Sequence, residues 1–412
     1  MNPASRLHRA WIVLALCFVT LFINYSIRLG YGVIMPEMLK ALNLGRAAGG
    51  TIFNAYLLIY ISLTPFTGYL TDRYGARRVI TICIFILAMG VGLMGTADSL
   101  LSACLFFGLT GLGATGIWTP VLTVVQRWFA PRRRGLAVGI LSTGYGLGFA
   151  SIGLAFPWIL GHFDWRYAWF FLGAAALFMT AGNGFFLRSD PATSGLSPWG
   201  DGAHKDTTKA PVPSHTKLDH LPAIFRSARF WLIGLSYFCI AYALYGITTF
   251  MVDYAVNQLG IPMERASLLA TVHGACQAIG VLTILPLSDR LGRRKTIMIS
   301  NGVIAASLAA ILLAAGSWAL LCLSIGVMAT FYGATFPLYG ICAGDYFPKE
   351  FMATVIGAWT PFYGLGAVVV HWVGGFLADT TGVYTHSFVI CLFMSIVAVL
   401  LMSRVRETVS RP

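Results

Sequence analysis

The chain reads as an all-α membrane protein with twelve transmembrane helices in two pseudo-symmetric six-helix bundles. Composition, the number of apolar stretches and an internal repeat predict this. Of the 412 residues, 57% are hydrophobic and 10% charged, and mean hydropathy is +0.76; a soluble domain is about one quarter charged. Crossing the hydrocarbon core takes about 20 apolar residues. Twelve stretches qualify, near 11–36, 49–70, 78–97, 100–125, 136–160, 167–187, 230–256, 266–287, 296–315, 318–343, 352–376 and 384–403. The phrase Gly68-Tyr-Leu-Thr-Asp72-Arg73-Tyr-Gly75-Ala-Arg77-Arg78 returns 217 residues later as Leu287-Ser-Asp289-Arg290-Leu-Gly292-Arg-Arg294-Lys295. The same offset carries Pro120 onto Pro337 and Pro131 onto Pro348 without a gap.

Six spans fall in each half, giving a first bundle over 1–188, a linker over 189–228 and a second bundle over 229–412. The first span outruns the apolar core of a signal peptide and no small-residue cleavage site follows it, so it is expected to remain. Lys40, Arg46, Arg166 and Arg265 fall on one side of the membrane and Arg28 within it, while the rest of the 28 Lys and Arg fall on the other. The positive-inside rule then predicts both termini in the cytoplasm. The net charge of +13 reports this topology and attraction to membrane lipid headgroups, so no nucleic-acid partner is expected. The linker contains Asp190, Pro191, Ser194, Gly195, Pro198, Gly200, Lys205, Asp206, Lys209, Pro211 and Pro213. It is expected to be flexible except where Leu221 to Phe230 form an amphipathic helix on the membrane.

An apolar chain that contains itself twice is the signature of a secondary transporter, whose halves rock about a central site. The eight cysteines (Cys17, Cys83, Cys104, Cys239, Cys276, Cys322, Cys342 and Cys391) lie within spans without paired spacing. They read as small apolar residues with no disulfide or metal framework. No nucleotide loop and no nucleophile with a base outside the bilayer is present, so neither an enzyme nor a cofactor is expected.

The Asp72 phrase and its Asp289 copy resemble the signature loops of the major facilitator superfamily, between spans 2 and 3 and spans 8 and 9. The resemblance covers nearly the whole chain and implies the major facilitator fold. Asp72, Arg73, Asp289 and Arg290 are then a conformational latch, each Asp meeting a helix terminus and a basic residue on the inner side. Arg127-Trp128-Phe129-Ala-Pro-Arg132-Arg133-Arg134-Gly135-Leu-Ala137-Val-Gly139, followed by Ser142-Thr143-Gly144-Tyr145-Gly146, is similar to the entry into span 5 of monocarboxylate transporters and anion:cation symporters. Its glycines read first as close helix packing. The Gly-Pro pair of drug antiporters is absent around Gly148 to Pro157.

In the first span, Asn24-Tyr25-Ser26-Ile27-Arg28 resembles the Asn-Tyr-x-Asp-Arg run of the anion:cation symporters, whose arginine binds the substrate carboxylate. Asn24, Tyr25 and Arg28 match; Ile27 stands where those relatives carry an Asp tied to proton coupling. The physics of Arg28 stands apart from the family. At about 1.5 Å per residue it lies more than a turn from either end of its span, where a guanidinium is costly unless it faces water or an anion. Snorkelling to the outer interface and pairing with a carboxylate are the competing readings. The carboxylates Glu37, Asp253, Asp345 and Asp379 all fall toward span ends.

An anionic substrate therefore suits Arg28 best. The offset maps Arg28 onto Tyr245, where organophosphate transporters present a second arginine, so a monoanion, a carboxylate before a sulfonate, is expected. Asn24, Tyr31, Asn54, Trp118, Tyr145, Tyr245, Gln277 and Tyr332 are the further substrate-binding candidates, each aromatic being equally a packing residue. Where monocarboxylate transporters place an Asp and an Arg in span 8, this chain reads His273-Gly-Ala-Cys-Gln277, and span 11 offers His371. His273, His371, Asp253 and Glu37 are the proton-coupling candidates, the histidines because an imidazole titrates near neutral pH and His273 first because the offset pairs it with Tyr56 in span 2. The expected protein is a monomeric, multi-pass transporter of the bacterial inner membrane that carries a small organic monoanion, with protons, by alternating access. A drug or metabolite efflux antiporter and a non-transporting anion receptor are the alternatives.

Overall fold

The computed structural model describes residues 8–200, 221–313, 317–347 and 352–405. Among them are twelve helices long and apolar enough to cross a membrane, beginning Arg9–Ala41 and ending Thr385–Ser403. They are built from α1 (Arg9–Ala41), α2 (Arg46–Tyr74), α3 (Ala76–Met94), α4 (Leu100–Ala114), α5 (Trp118–Trp128), α6 (Pro131–His162), α7 (Arg166–Phe186), α9 (Ala228–Asp253), α10 (Met263–Ala266), α11 (Leu268–Leu291), α12 (Arg293–Leu313), α13 (Trp318–Tyr346), α14 (Met352–Thr381) and α15 (Thr385–Ser403), with a short α8 (Leu221–Arg226) before α9.

Helix is the element a membrane permits, because every backbone group in the bilayer needs an internal partner. Outward faces carry large apolar side chains such as Phe178, Phe185, Leu313 and Leu323, all largely exposed, as lipid contact requires. The elements deviate from straight helix where the sequence allows it. The fourth span breaks between α4 and α5, just before Pro120, whose ring cannot sit in a helix interior without loss of a hydrogen bond. The seventh continues past Asp253 as a π-helical turn, Tyr254–Gln258.

The chain divides into two compact units, one of residues 1–202 with 249–278 and one of 203–248 with 279–412. In the first, α1 packs on α6, and α3 on α4 and α7; in the second, α12 packs on α13 and α15. The duplication is structural as well as sequential. Gly75 between α2 and α3 has φ 85° and Gly292 between α11 and α12 has φ 87°, the left-handed region that glycine enters without a Cβ clash. Two residues on, Arg77 donates to the carbonyl of Gly184 near the end of α7, and Arg294 donates to those of Met402 (3.2 Å) and Ser403 (2.6 Å) at the end of α15. In each unit the signature loop supplies an arginine to the exposed C-terminal carbonyls of the last helix, where positive charge is favoured.

The linker departs from the expected flexibility in its first dozen residues. Trp199 bridges Phe129 as an isolated β pair, its N–H donating to Trp128 O at 2.8 Å while Ala130 N donates to Trp199 O at 3.0 Å. Its ring packs on Trp11 at 5.0 Å under the Arg133 guanidinium. A tryptophan with aromatic partners and a backbone pair outweighs the local preference of its Pro, Gly and Ser neighbours. The expected helix over Leu221 to Phe230 appears as α8, followed by Ser227 and the start of α9. Lys205, Asp206, Lys209, Pro211 and Pro213 lie outside the described residues.

Candidate functional site

The arginine of the first span lies near the middle of α1, 7% exposed. It meets ring faces: its guanidinium carbon is 4.9 Å from the centroid of Tyr60 and 5.8 Å from that of Tyr56. Tyr56 and Tyr60 are one turn apart on α2, which brings i and i+4 side chains onto one face; their rings are 6.1 Å apart and 11° from parallel. Tyr25, three residues before Arg28 on α1, rests against Tyr145 of α6 at 4.1 Å. Tyr25 also lies within electrostatic reach of Arg28, Tyr56 and Tyr60. Cation–π attraction of this kind contributes about 0.5–2 kcal/mol per contact and grows as water is excluded.

Neighbouring polar groups sharpen the picture. Asn24, one turn before Arg28, is buried, and its Oδ1 has no hydrogen-bond partner among the described residues. Gln277 on α11, also in the first unit, is buried with Oε1 in the same condition. Ser26 ties α1 to α6 through the carbonyl of Gly148 at 2.8 Å and Ser151 at 3.2 Å, fixing the helix that carries Arg28 against the one that carries Tyr145. Asn54 of α2 is buried and Trp118, the first residue of α5, is half-buried.

Tyr31 goes elsewhere. Its hydroxyl donates to Gly49 O at 2.7 Å, and its ring packs with Phe53 and Phe107 in the interior of the first unit. Tyr245, at the position equivalent to Arg28, lies in the second unit beside Tyr363 at 5.6 Å and His371 at 5.9 Å. That unit holds a further tyrosine stack, with Tyr237 4.5 Å from Tyr339 and 4.7 Å from Tyr363. Tyr339 OH is shared with Ser236 at 2.7 Å and accepts from Asn301 at 3.0 Å. Tyr332 is buried on α13. Tyr237 and Ser236 were not singled out by sequence.

The proton-coupling candidates separate. His273 is fully buried on α11 with its ring at right angles to Phe149, 5.2 Å away. It sits beside the tightest crossing of α6 and α11, where a Cβ on Gly274 would overlap the carbonyl of Gly146 and Thr271 Oγ1 donates to Ala150 O at 3.0 Å. Asp253 closes α9 and accepts from Arg46 Nε, at the start of α2, at 2.9 Å and from Asn257 Nδ2 at 2.6 Å. His371 is buried on α14, and Glu37 is half-buried one residue after Pro36 in α1. Of the latch residues, Arg73 is exposed and donates to Tyr69 OH at 2.9 Å, and Arg290 is exposed in the last turn of α11. The side chains of Asp72 and Asp289 lie outside the described residues. No group of His, Cys, Asp or Glu among the described residues is arranged to hold a metal.

Twelve apolar helices with a duplicated signature loop and a charged residue deep in the first define a multi-pass membrane protein of the transporter type. The chain belongs to the Major Facilitator Superfamily: the model of that family matches residues 14–264 and 233–412. The fold and family are those of transporters and not of enzymes. Among curated relatives, the chain is 24% identical over 298 residues to a probable sulfoacetate transporter of Cupriavidus necator, covering 70% of this chain and 67% of the relative. It is 24% identical to a probable galactarate/D-glucarate transporter of Escherichia coli, over 95% of this chain and 92% of that protein, and 27% identical to mouse monocarboxylate transporter 11, over 92% and 84%. Among solved structures, the nucleoside transporter NupG matches with TM-score 0.76 at 14% identity, covering 96% of this chain and 100% of that one. A bacterial homologue of the human lysosomal transporter Spinster, in an inward-facing and unoccupied conformation, matches with TM-score 0.74 at 16% identity over 99% and 100%.

Proposed function

We propose that this transporter carries a small organic monoanion, a carboxylate or sulfonate, bound through Arg28, by alternating access coupled to protons. The observation that carries the reading is the position of Arg28: a buried guanidinium near the middle of a membrane helix, a place where a cation is kept for a function. The equivalent position in the second half is a tyrosine, so one fixed cation serves a single negative charge. The relatives for sulfoacetate, galactarate or glucarate, and monocarboxylates are named for organic anions, which supports an organic anion; the first two are named for dianions, so the single charge is argued from Arg28 alone.

Arg28 would present a planar two-donor fork to the anion, with Asn24, Asn54, Trp118, Tyr145 and Gln277 as further contacts. Tyr245 and Tyr332 are also proposed as substrate-binding residues. Tyr31, whose hydroxyl is engaged by Gly49, would act by shaping the bundle behind Arg28. For the proton we favour His273 over His371, Asp253 and Glu37, since it is a buried imidazole beside a close helix crossing. Asp72, Arg73, Asp289 and Arg290 are proposed to hold one conformational state. The setting we propose is a bacterial inner membrane, with a monomer and both termini in the cytoplasm.

Uptake into proteoliposomes tests the whole reading. An imposed proton gradient is expected to drive accumulation of monocarboxylates or sulfonates but not of inorganic phosphate or neutral analogues. His273→Gln is expected to lose gradient-driven accumulation and to keep exchange of substrate across the membrane. Accumulation of phosphate or of neutral solutes in preference to monoanions would refute the anion reading, and a His273→Gln protein that still concentrates substrate would remove His273 from the coupling.

A further inference from the structure

We infer that Tyr60 is a positioning residue for the anion contact, its ring holding the Arg28 guanidinium from one side so that the two-donor fork is kept aimed at the anion; this deepens the anion reading above and rests on it. The observations start from the wall of the first unit. There α2 is pressed onto α4 at Tyr56, where a Cβ on Gly111 would overlap the carbonyl of Tyr56. It is also tied to α1, through the Tyr31 hydroxyl that donates to Gly49 O at 2.7 Å. On that fixed base the rings of Trp169, Phe107, Tyr56 and Tyr60 follow one another, with successive centroids 5.9, 5.0 and 6.1 Å apart. Tyr56 is fully buried and Tyr60 half-buried. The series ends on Arg28, whose guanidinium carbon lies over the Tyr60 ring at 4.9 Å and over that of Tyr56 at 5.8 Å.

Arginine is a long side chain with several rotatable bonds, and both donors of its fork meet one anion only if something holds the guanidinium in place. A carboxylate partner would hold it and at the same time cancel the charge that the anion needs. An aromatic face attracts the cation through its quadrupole and adds no net charge, so Arg28 is held and its positive charge is kept for the anion. Tyr60 is the last ring of a column whose other members are packed in the interior, which makes it the member able to transmit a fixed position to the guanidinium. The role concerns the arginine and applies whatever the acid carries beyond its charged group.

Equilibrium binding of benzoate, lactate and gluconate to the purified full-length protein in nanodiscs tests this, with Tyr60→Leu and Tyr60→Phe made alone and combined with Arg28→Lys. Tyr60→Leu is expected to weaken each acid that binds the wild type by about tenfold, within the range of a cation–ring contact largely removed from water. Tyr60→Phe, which retains the ring, is expected to lose less than about threefold. Arg28→Lys removes the fork, and in the Tyr60→Leu background, where the fork is no longer held, it is expected to cost at least about threefold less than in the wild type. A residue that only stabilised the fold would lower the melting temperature and leave that ratio unchanged. A second measurement needs no ligand: in protein carrying isotope-labelled arginine, the side-chain N–H signal of Arg28, assigned by its loss in Arg28→Lys, is expected to show an upfield ring-current shift that Tyr60→Leu removes and Tyr60→Phe keeps. Equal costs of Arg28→Lys in the two backgrounds, or a ring-current shift that survives Tyr60→Leu, would overturn this inference and leave the anion reading intact. Tyr60→Phe as damaging as Tyr60→Leu would assign the hold to the hydroxyl and overturn the role of the ring. No acid binding to the wild type would overturn the anion reading and this inference with it.

Discussion

A carboxylate withdrawn from water is tolerated when it is paired, and Asp253, its side chain 3% exposed, is held by Arg46, whose side chain is 26% exposed. The asymmetry of burial makes a prediction. Arg46→Ala leaves a buried carboxylate without its counter-charge, whereas removing both partners leaves none, so the double variant Arg46→Ala/Asp253→Ala is expected to unfold at a higher temperature than the sum of the single losses implies. A coupling of about 0.5–3 kcal/mol is the range for contacting residues. Thermal unfolding of the four proteins in detergent measures it, and strictly additive shifts would show that the pair contributes nothing. The sequence places Asp253 and Arg46 at span ends on one side of the membrane, but their pairing joins residues 207 apart in the chain, which no local pattern encodes. The burial of Arg28 was legible for the opposite reason: depth within one apolar helix is a local property. The tyrosines whose faces Arg28 meets, Tyr56 and Tyr60, come from α2, and their i, i+4 spacing puts them on one face of that helix.

Apolar runs fix the helices so strongly that the twelve spans and the observed helices agree to within a few residues at most ends. The departures are where hydropathy is blind: the break before Trp118, the π-helical turn after Asp253 and the docking of Trp199 depend on backbone geometry and distant partners. Helix crossings are in the same category, and the sharpest that the described glycines show is in the second unit. A Cβ on Gly280 of α11 would overlap the carbonyl oxygen of Thr330 on α13, while one on Gly302 of α12 would meet nothing within 4 Å. Gly280→Ala must therefore push two helices apart, at a cost of about 1–3 kcal/mol. Gly302→Ala is expected to be neutral or to stabilise by about 0.5–1 kcal/mol, since Ala is the better helix former. Melting temperatures of the two variants decide the matter, and equal effects at both positions would contradict the crossing.

At the scale of the molecule, the duplication is what made the architecture readable. Gly75 and Gly292 share one backbone conformation, and Arg77 and Arg294 serve equivalent helix ends, so one ancestral design appears twice along the chain. The site follows the opposite logic. Arg28 has no counterpart, because its equivalent is Tyr245, and the binding role proposed for it falls where the two halves differ. Substrate chemistry was less legible than fold for that reason: a repeat announces what the halves share, and a single guanidinium announces only a charge. The most direct measurement is equilibrium binding of a panel of radiolabelled monocarboxylates to wild-type, Arg28→Lys and Arg28→Ala protein in nanodiscs, with the folded fraction of each checked by size-exclusion chromatography. Arg28→Ala is expected to weaken every acid that binds the wild type by at least about 30-fold, the loss of a charge-assisted contact. Arg28→Lys is expected to fall nearly as far, because an ammonium does not reproduce the planar fork. Unchanged affinity in well-folded Arg28→Ala protein would contradict the claim that this arginine holds the substrate.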